Sequence, residues 1–295
     1  MSKNTKIGWI GLGVMGEPLC QHLMSAGYPM SVYTRSKIKA GEVLANGAHW
    51  CDSAAEVATR SDVIFTMIGV GREVEEVYFS KKGLFDGDIS DKIYIDMGTT
   101  APSLSMKIAE YVKQRSAQSI DAPVSGGDVG ARNASLSIMA GGDEAVIESV
   151  RALFECMGRV QIMGGSGSGQ HAKMCNQMVV AGTMIGVCEA LLYAKRAGLN
   201  CATMIAAIRQ GAAGCWTLDN LAPRIIKQDF APGFMVDHFI KDLAIAMQEA
   251  ELMGLDLPGL SLAKSLYEKV RDLGHGKSGT QALLMALEAY TVAAR

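Results

Sequence analysis

The stretch Gly11-Leu12-Gly13-Val14-Met15-Gly16 constrains this chain more than any other. It follows an apolar run, residues 6–10, that reads as a strand, and it opens an amphipathic segment reaching residue 26. Each glycine of such a strand-to-helix turn has a physical use. The first permits a tight turn, and the second lets the backbone approach a pyrophosphate. The third lets helix pack on strand, and the positive helix end then faces the phosphate charge. Glycine turns are common, so the spacing alone is weak. Its place between a first strand and a first helix makes it a dinucleotide site within a βαβ unit.

The pattern that follows supports that unit. Apolar runs at residues 31–34, 63–68, 93–96, 119–124, 136–140 and 160–163 read as strands, with helical pattern between most of them. Ser53-Ala54-Ala55-Glu56 has the spacing of a capping box at a helix start. Strands separated by helices predict a mostly parallel sheet covered on both faces, an α/β Rossmann-type doubly wound fold. Near Gly164 the pattern changes. Gly164-Gly165-Ser166-Gly167-Ser168-Gly169 reads as a flexible joint. No convincing strand follows it. Residues 171–197 lack proline and predict one helix of about 40 Å. Helical pattern returns at 202–210, 241–253, 260–273 and 281–294. The expectation is a dinucleotide-binding domain over 1–165 and an all-α domain over 166–295, joined by the long helix.

Composition enters as a set of exclusions. A length of 295 residues suits two domains, and 49% hydrophobic with 20% charged residues is a globular balance. A net charge of -2 gives no electrostatic case for nucleic acid or an acidic membrane surface. No apolar run reaches the ~20 residues of a membrane span, and the polar start followed by glycines does not read as a leader peptide. Seven cysteines stand singly, without a CxxC pair, which reads as reduced thiols in a cytoplasmic protein. Five scattered histidines lack metal-ligand spacing, so no metal is expected.

Three further places carry candidate chemistry. The second strand ends at Tyr33-Thr34-Arg35-Ser36, where an NAD-selective site places an acid on the ribose 2′-hydroxyl. Arg35, with Lys37 and Lys39 nearby, suits a 2′-phosphate, so NADP(H) is preferred with NAD(H) still open. The alternative is a solvated basic helix start. Ser125-Gly126-Gly127 follows the strand ending Asp121-Ala122-Pro123-Val124 and could bind a carboxylate through backbone N–H groups; alone, it fits an ordinary turn equally well. Lys173 opens the long helix, with Asn176 and Gln177 on the same helix face. A lone lysine is usually a solvated one. This one lies where the two predicted domains meet, and a partly desolvated lysine can exchange a proton near neutral pH. Lys241-Asp242, taken alone, reads as an exposed ion pair at a helix start.

Together the segments at 7–28, "DAPVSGGDVGA" at 121–131, "GSGQHAKMCNQ" at 167–177 and "FIKDL" at 239–243 resemble the β-hydroxyacid dehydrogenase family along essentially the whole chain. The resemblance implies a Rossmann domain followed by an all-α domain, in homodimers or homotetramers. It implies a small carboxylate substrate, with Lys173 as the catalytic lysine. Ser125, Gly126, Gly127, Asn176 and Gln177 are then substrate-binding. The implied cofactor contacts are Gly11, Leu12, Gly13, Val14, Met15 and Gly16, with Thr99 of "DMGTT" and Lys241; Thr34, Arg35, Ser36, Met67 and Ile68 at the strand ends complete the set. The chain is most similar to tartronate semialdehyde reductases (2-hydroxy-3-oxopropionate reductases) through the "NQ" after Lys173, "AIRQGAAG" at 207–214 and "FAPGF" at 230–234. An NAD-dependent 3-hydroxyisobutyrate dehydrogenase is the alternative. Three departures stand out: Gly98 where serine is common, Ala134 where glycine is usual, and "HGKSGTQAL" at 275–283, which lacks the acidic residue often found there. Two rival functions are a non-catalytic nucleotide-binding module and imine reduction. The presence of Lys173 weighs against both.

Overall fold

The computed structural model describes residues 2–69 and 71–293. Ala294, the last residue of the helix expected at the C-terminus, lies outside them. The chain forms two compact units, Met1–Lys173 and Met174–Arg295.

In the first unit the order is β1 (Ile7–Ile10), α1 (Gly16–Ser25), β2 (Met30–Tyr33), α2 (Gly41–Ala45), β3 (His49–Trp50), α3 (Ala54–Arg60), β4 (Val63–Thr66) and α4 (Gly71–Phe79). Then come β5 (Ile93–Asp96), α5 (Pro102–Lys113), β6 (Gln118–Asp121), β7 (Val124–Ser125), α6 (Gly127–Arg132), β8 (Leu136–Gly141), α7 (Glu144–Glu155) and β9 (Gly158–Gly164). The sheet runs β3-β2-β1-β4-β5-β6-β8-β7, with β9 on β8. From β3 to β6 all pairs are parallel. β1 and β4 are buried at every position, as central strands covered on both faces must be. One core, including Trp9, Phe65 and Phe154, and another, including Ile64, Tyr78 and Tyr94, cover the sheet. Ser53 caps α3 by accepting from the Glu56 N–H at 3.1 Å, and the Glu56 carboxylate accepts from the Asp52 N–H at 2.8 Å.

Three expectations are corrected here. The two-residue strand β3 escaped the pattern because it is too short to show a period. The single strand expected at 119–124 is two, broken at Ala122-Pro123, and β8 runs antiparallel to both pieces. The glycine-rich joint is not loose. Its Gly167 N–H donates to Asp121 Oδ1 at 2.7 Å, and the Gln170 N–H donates to Asp121 Oδ2 at 2.9 Å. These bonds hold the first turn of α8 (Ser168–Arg196) within the first unit, which is why that unit extends to Lys173 and does not stop at residue 165.

In the second unit α8 continues, followed by α9 (Cys201–Ile208), α10 (Trp216–Asn220), α11 (Ala222–Ile226), α12 (Val236–Leu252), α13 (Pro258–Val270) and α14 (Leu283–Ala293). Its core gathers Met184, Leu191, Phe239, Leu243 and Tyr267. Phe239 and Tyr267 meet edge to face at 4.9 Å. By length and composition α8 is apolar enough to cross a membrane, although polar residues interrupt its apolar runs. Much of that apolarity lies in the core of this unit, through Met174, Ala181, Met184, Val187, Cys188 and Leu191.

Candidate active site

The order β3-β2-β1-β4-β5-β6 reverses direction between β1 and β4, and the glycine loop lies at that reversal, where open parallel sheets bind ligands. Each glycine acts as the spacing requires. Gly11 has φ +97, and a Cβ there would strike the Met67 carbonyl. A Cβ on Gly16 would strike the Gly11 carbonyl, so α1 could not sit so close. Gly13 faces open space, which leaves its backbone approachable. Trp9 donates its ring N–H to the Gly11 carbonyl at 3.0 Å and holds the loop from the buried side. α1 starts without a side-chain cap, so its first N–H groups are not taken by a local side chain. This cradle fits a dinucleotide pyrophosphate.

The other predicted cofactor positions differ among themselves. Val14 is exposed and Met15 half-buried, but the Leu12 side chain is in the core, so only its backbone can reach a ligand. Thr34 is buried, while Arg35 and Ser36 are exposed. Arg35 pairs with Glu73 of α4 at 2.6 Å, and Lys37 lies over the Trp50 ring at 4.9 Å. Met67 and Ile68, half-buried, follow β4. Thr99 is half-buried in the loop after β5. In that loop, Gly98 tolerates no side chain, because its Cβ would meet the Ile68 carbonyl at 2.5 Å.

Under this loop lies a polar network the sequence reading missed. Asp96, closing β5, accepts from Thr66 Oγ1 at 2.9 Å, the Gly98 N–H at 3.1 Å and Thr100 Oγ1 at 2.7 Å. Gln170, fully buried in the first turn of α8, accepts from the Thr100 N–H at 3.0 Å and donates to the Gly98 carbonyl at 2.9 Å. The loop bearing Thr99 and the helix bearing Lys173 are thus tied together. The available signal was an aspartate closing an apolar strand twice, in "IYID" and "SID".

Lys173 is only 8% exposed, so it is not the solvated lysine that the residue alone would suggest. Its Nζ donates to the Val124 carbonyl at 2.8 Å. That contact sets the ammonium beside the start of the turn Ser125-Gly126-Gly127. Gly126 has φ +133 and Gly127 φ +63, both in the region that favours glycine. Gly126 occupies the cap position before α6, which starts without a side-chain cap. Burial pushes the Asp121 carboxyl from its ordinary 3.8 up to about 7, against the two N–H bonds it accepts.

Within the second unit, Asn176 donates to Gln177 Oε1 at 2.7 Å, and Gln177 donates to Asp242 Oδ2 at 2.6 Å. Gln177 is buried, and its amide bridges Asn176 and Asp242, so it orients Asn176. Lys241 and Asp242 are not an exposed pair at a helix start. They lie inside α12, with Asp242 2% exposed and the Lys241 ammonium 2.8 Å from Asp242 Oδ1. The pattern placed the helix start too late because Val236 to Ile240 belong to the same helix. Among the described residues, His49, Cys51 and Glu56 bring possible metal-ligand atoms within 4.8 Å of one another, though Glu56 already serves the α3 cap.

Known proteins extend this picture. The NAD binding domain of 6-phosphogluconate dehydrogenase matches residues 6–179, and the domain described as NAD-binding of NADP-dependent 3-hydroxyisobutyrate dehydrogenase matches residues 167–287. A probable 3-hydroxyisobutyrate dehydrogenase-like 1, mitochondrial, of Arabidopsis thaliana is 49% identical over 97% of this chain and 86% of its own. The 2-hydroxy-3-oxopropionate reductase of Escherichia coli (strain K12) is 38% identical over 96% of this chain and 97% of its own. Among solved structures, a Mycobacterium tuberculosis 3-hydroxyisobutyrate dehydrogenase with L-serine is 30% identical, with a TM-score of 0.87 over 96% of this chain and 99% of its own. A loop built for a pyrophosphate, a buried lysine beside a glycine turn, and these matches over nearly the full length place the chain in the β-hydroxyacid dehydrogenase family, as an NAD(P)-dependent oxidoreductase acting on a CH–OH group.

Proposed function

We propose that this enzyme interconverts tartronate semialdehyde and its hydroxyacid with NADP(H), using Lys173 for proton transfer. The observation that carries the reading is Lys173 Nζ, buried and held on the Val124 carbonyl next to the Ser125–Gly127 turn. Backbone N–H groups of that turn take the substrate carboxylate. A nicotinamide cofactor held at the Gly11–Gly16 loop would supply the hydride in reduction and receive it in oxidation. As negative charge grows on the substrate oxygen, the Lys173 ammonium stabilises it and gives up a proton; in oxidation the neutral amine takes the hydroxyl proton. Asn176, one turn along α8, orients the reacting oxygen.

Arg35 supports the choice of NADP(H), since a guanidinium pairs with a 2′-phosphate. The segments shared with 2-hydroxy-3-oxopropionate reductases support the substrate, and the E. coli relative bears that name. A second reading is 3-hydroxyisobutyrate, supported by the names of the Arabidopsis relative and the M. tuberculosis structure. We further propose a cytoplasmic homo-oligomer, supported by seven free cysteines and by exposed Val179 and Tyr193 on α8.

A panel of small 3-hydroxyacids and their semialdehydes, assayed with both cofactors, tests substrate and cofactor together. Tartronate semialdehyde with NADPH should give the highest kcat/KM. In the same assay Lys173→Ala should lose about 10²–10⁴-fold in kcat, with cofactor Kd little changed. Retention of more than a tenth of kcat rules Lys173 out.

A further inference from the structure

We propose that Asp121 is a positioning residue for Lys173: its carboxylate grips the first turn of α8 and so fixes where the Lys173 ammonium stands against the Val124 carbonyl. The proposal rests on the reading of Lys173 as the proton-transfer group.

The geometry is that of a helix cap supplied from far away in the sequence. A helix start leaves its first N–H groups without intrahelical partners, and a side chain just before the helix usually meets them. Here Asp121, at the end of β6, takes the Gly167 N–H with one oxygen and the Gln170 N–H with the other. Two glycines make the approach possible. A Cβ on Gly141 would lie 2.8 and 2.9 Å from the two carboxylate oxygens, and one on Gly169 would lie 2.9 Å from Oδ2. Lys173 follows Gln170 by three residues, about one turn. Its acceptor, Val124, follows Asp121 by three residues. The carboxylate therefore clamps together the segment that carries the ammonium and the segment that receives it.

Both clamp bonds need the ionised carboxylate, which accepts on both oxygens. A protonated acid or an amide keeps one good acceptor and turns a donor toward the second N–H. The titratable groups facing Asp121 are Asp96, its register partner on β5, and the phenols of Tyr78 and Tyr94, which line a small cavity with it. β8 and the first turn of α8 present Gly141, Gly167, Gly169 and Gln170. Burial raises both phenols, so they stay protonated where Asp121 titrates. The raised carboxyl, at about 7, brings the loss of a clamp bond into the working range.

The test compares kcat of the unmodified enzyme and Asp121→Asn from about pH 5.5 to 9. Above pH 8 the variant should be about 10–100-fold slower, the scale of a small misplacement of a catalytic group. Its cofactor Kd should stay within about twofold, since the glycine loop is untouched. The ratio of the two kcat values should fall toward one below pH 6, with a midpoint near 7, because the unmodified carboxyl takes up its proton there and loses the bond that the amide already lacks. A purely structural aspartate gives a ratio without that pH dependence. In a Lys173→Ala background, Asp121→Asn should cost nothing further. A pH-independent ratio, or full additivity, with Lys173→Ala slow as expected, overturns the proposal alone. Fast Lys173→Ala overturns the reading of Lys173 and the proposal with it. Should Asp121→Asn not fold, the Gly167 and Gln170 amide proton shifts of the unmodified enzyme decide: they should titrate together near pH 7, and shifts that do not move refute the clamp.

Discussion

Removing the Glu73 carboxylate should strengthen NADPH binding and leave NADH binding unchanged. Arg35 Nη1 lies 2.6 Å from Glu73 Oε1, and the two side chains are 86% and 38% exposed. A 2′-phosphate that binds Arg35 competes with Glu73 for the guanidinium. An exposed pair of this kind is worth about 0–1 kcal/mol, so its loss frees up to about that much for the phosphate. That converts to an affinity gain of up to about fivefold for NADPH in Glu73→Gln. NADH lacks the phosphate and should not sense the change. The effect should shrink in high salt, since both partners are exposed to screening. Fluorescence titration of each reduced cofactor, at low and high salt, measures it. Equal gains for NADH and NADPH would show that Glu73 blocks the site without competing for Arg35. A weaker NADPH complex would refute Arg35 as the phosphate partner.

Three other outcomes are expected. Gly126→Val places a branched side chain at φ +133, where even a Cβ lies 3.0 Å from Leu136 Cδ2; KM for the acid should rise while cofactor Kd holds, and esters that react as well as free acids would show that no carboxylate is recognised. Ala134 has φ +51, a left-handed conformation that favours glycine; Ala134→Gly should relieve roughly 1 kcal/mol of strain, partly offset by unfolded-chain entropy, and an unchanged or lower Tm argues against it. The folded state holds the Asp121 proton more tightly than the unfolded chain does. Its contribution to stability is therefore full below the ordinary value of 3.8 and lost as pH rises through about 7. The Tm difference between the unmodified protein and Asp121→Asn should move against the unmodified protein from about pH 5 to 8, and a constant difference refutes it.

Local chemistry sufficed for part of this protein. The glycine turn was legible because each glycine answers a backbone demand: the Met67 carbonyl at Gly11, the Gly11 carbonyl at Gly16. The apolar runs of β1, β4 and β5 and the proline-free stretch of α8 were legible because burial on both faces, or along a long helix, leaves a continuous signature. Lys173, Ser125, Gly126 and Gly127 could be named but not weighed, since a lysine in the second turn of a helix looks the same in sequence whether solvated or buried.

Tertiary structure decided what those residues experience. It buried Lys173 on the Val124 carbonyl, engaged both ends of Gln177, and drew Asp242 into the interior of α12. It turned a glycine-rich stretch that composition reads as flexible into a capped helix start, because the cap comes from Asp121, 46 residues before Gly167. Strand pattern and turn composition register only neighbours along the chain. A carboxylate that meets its N–H donors through the pairing of β6, β8 and β9 leaves no such mark, so its role becomes visible only once the sheet brings those segments together.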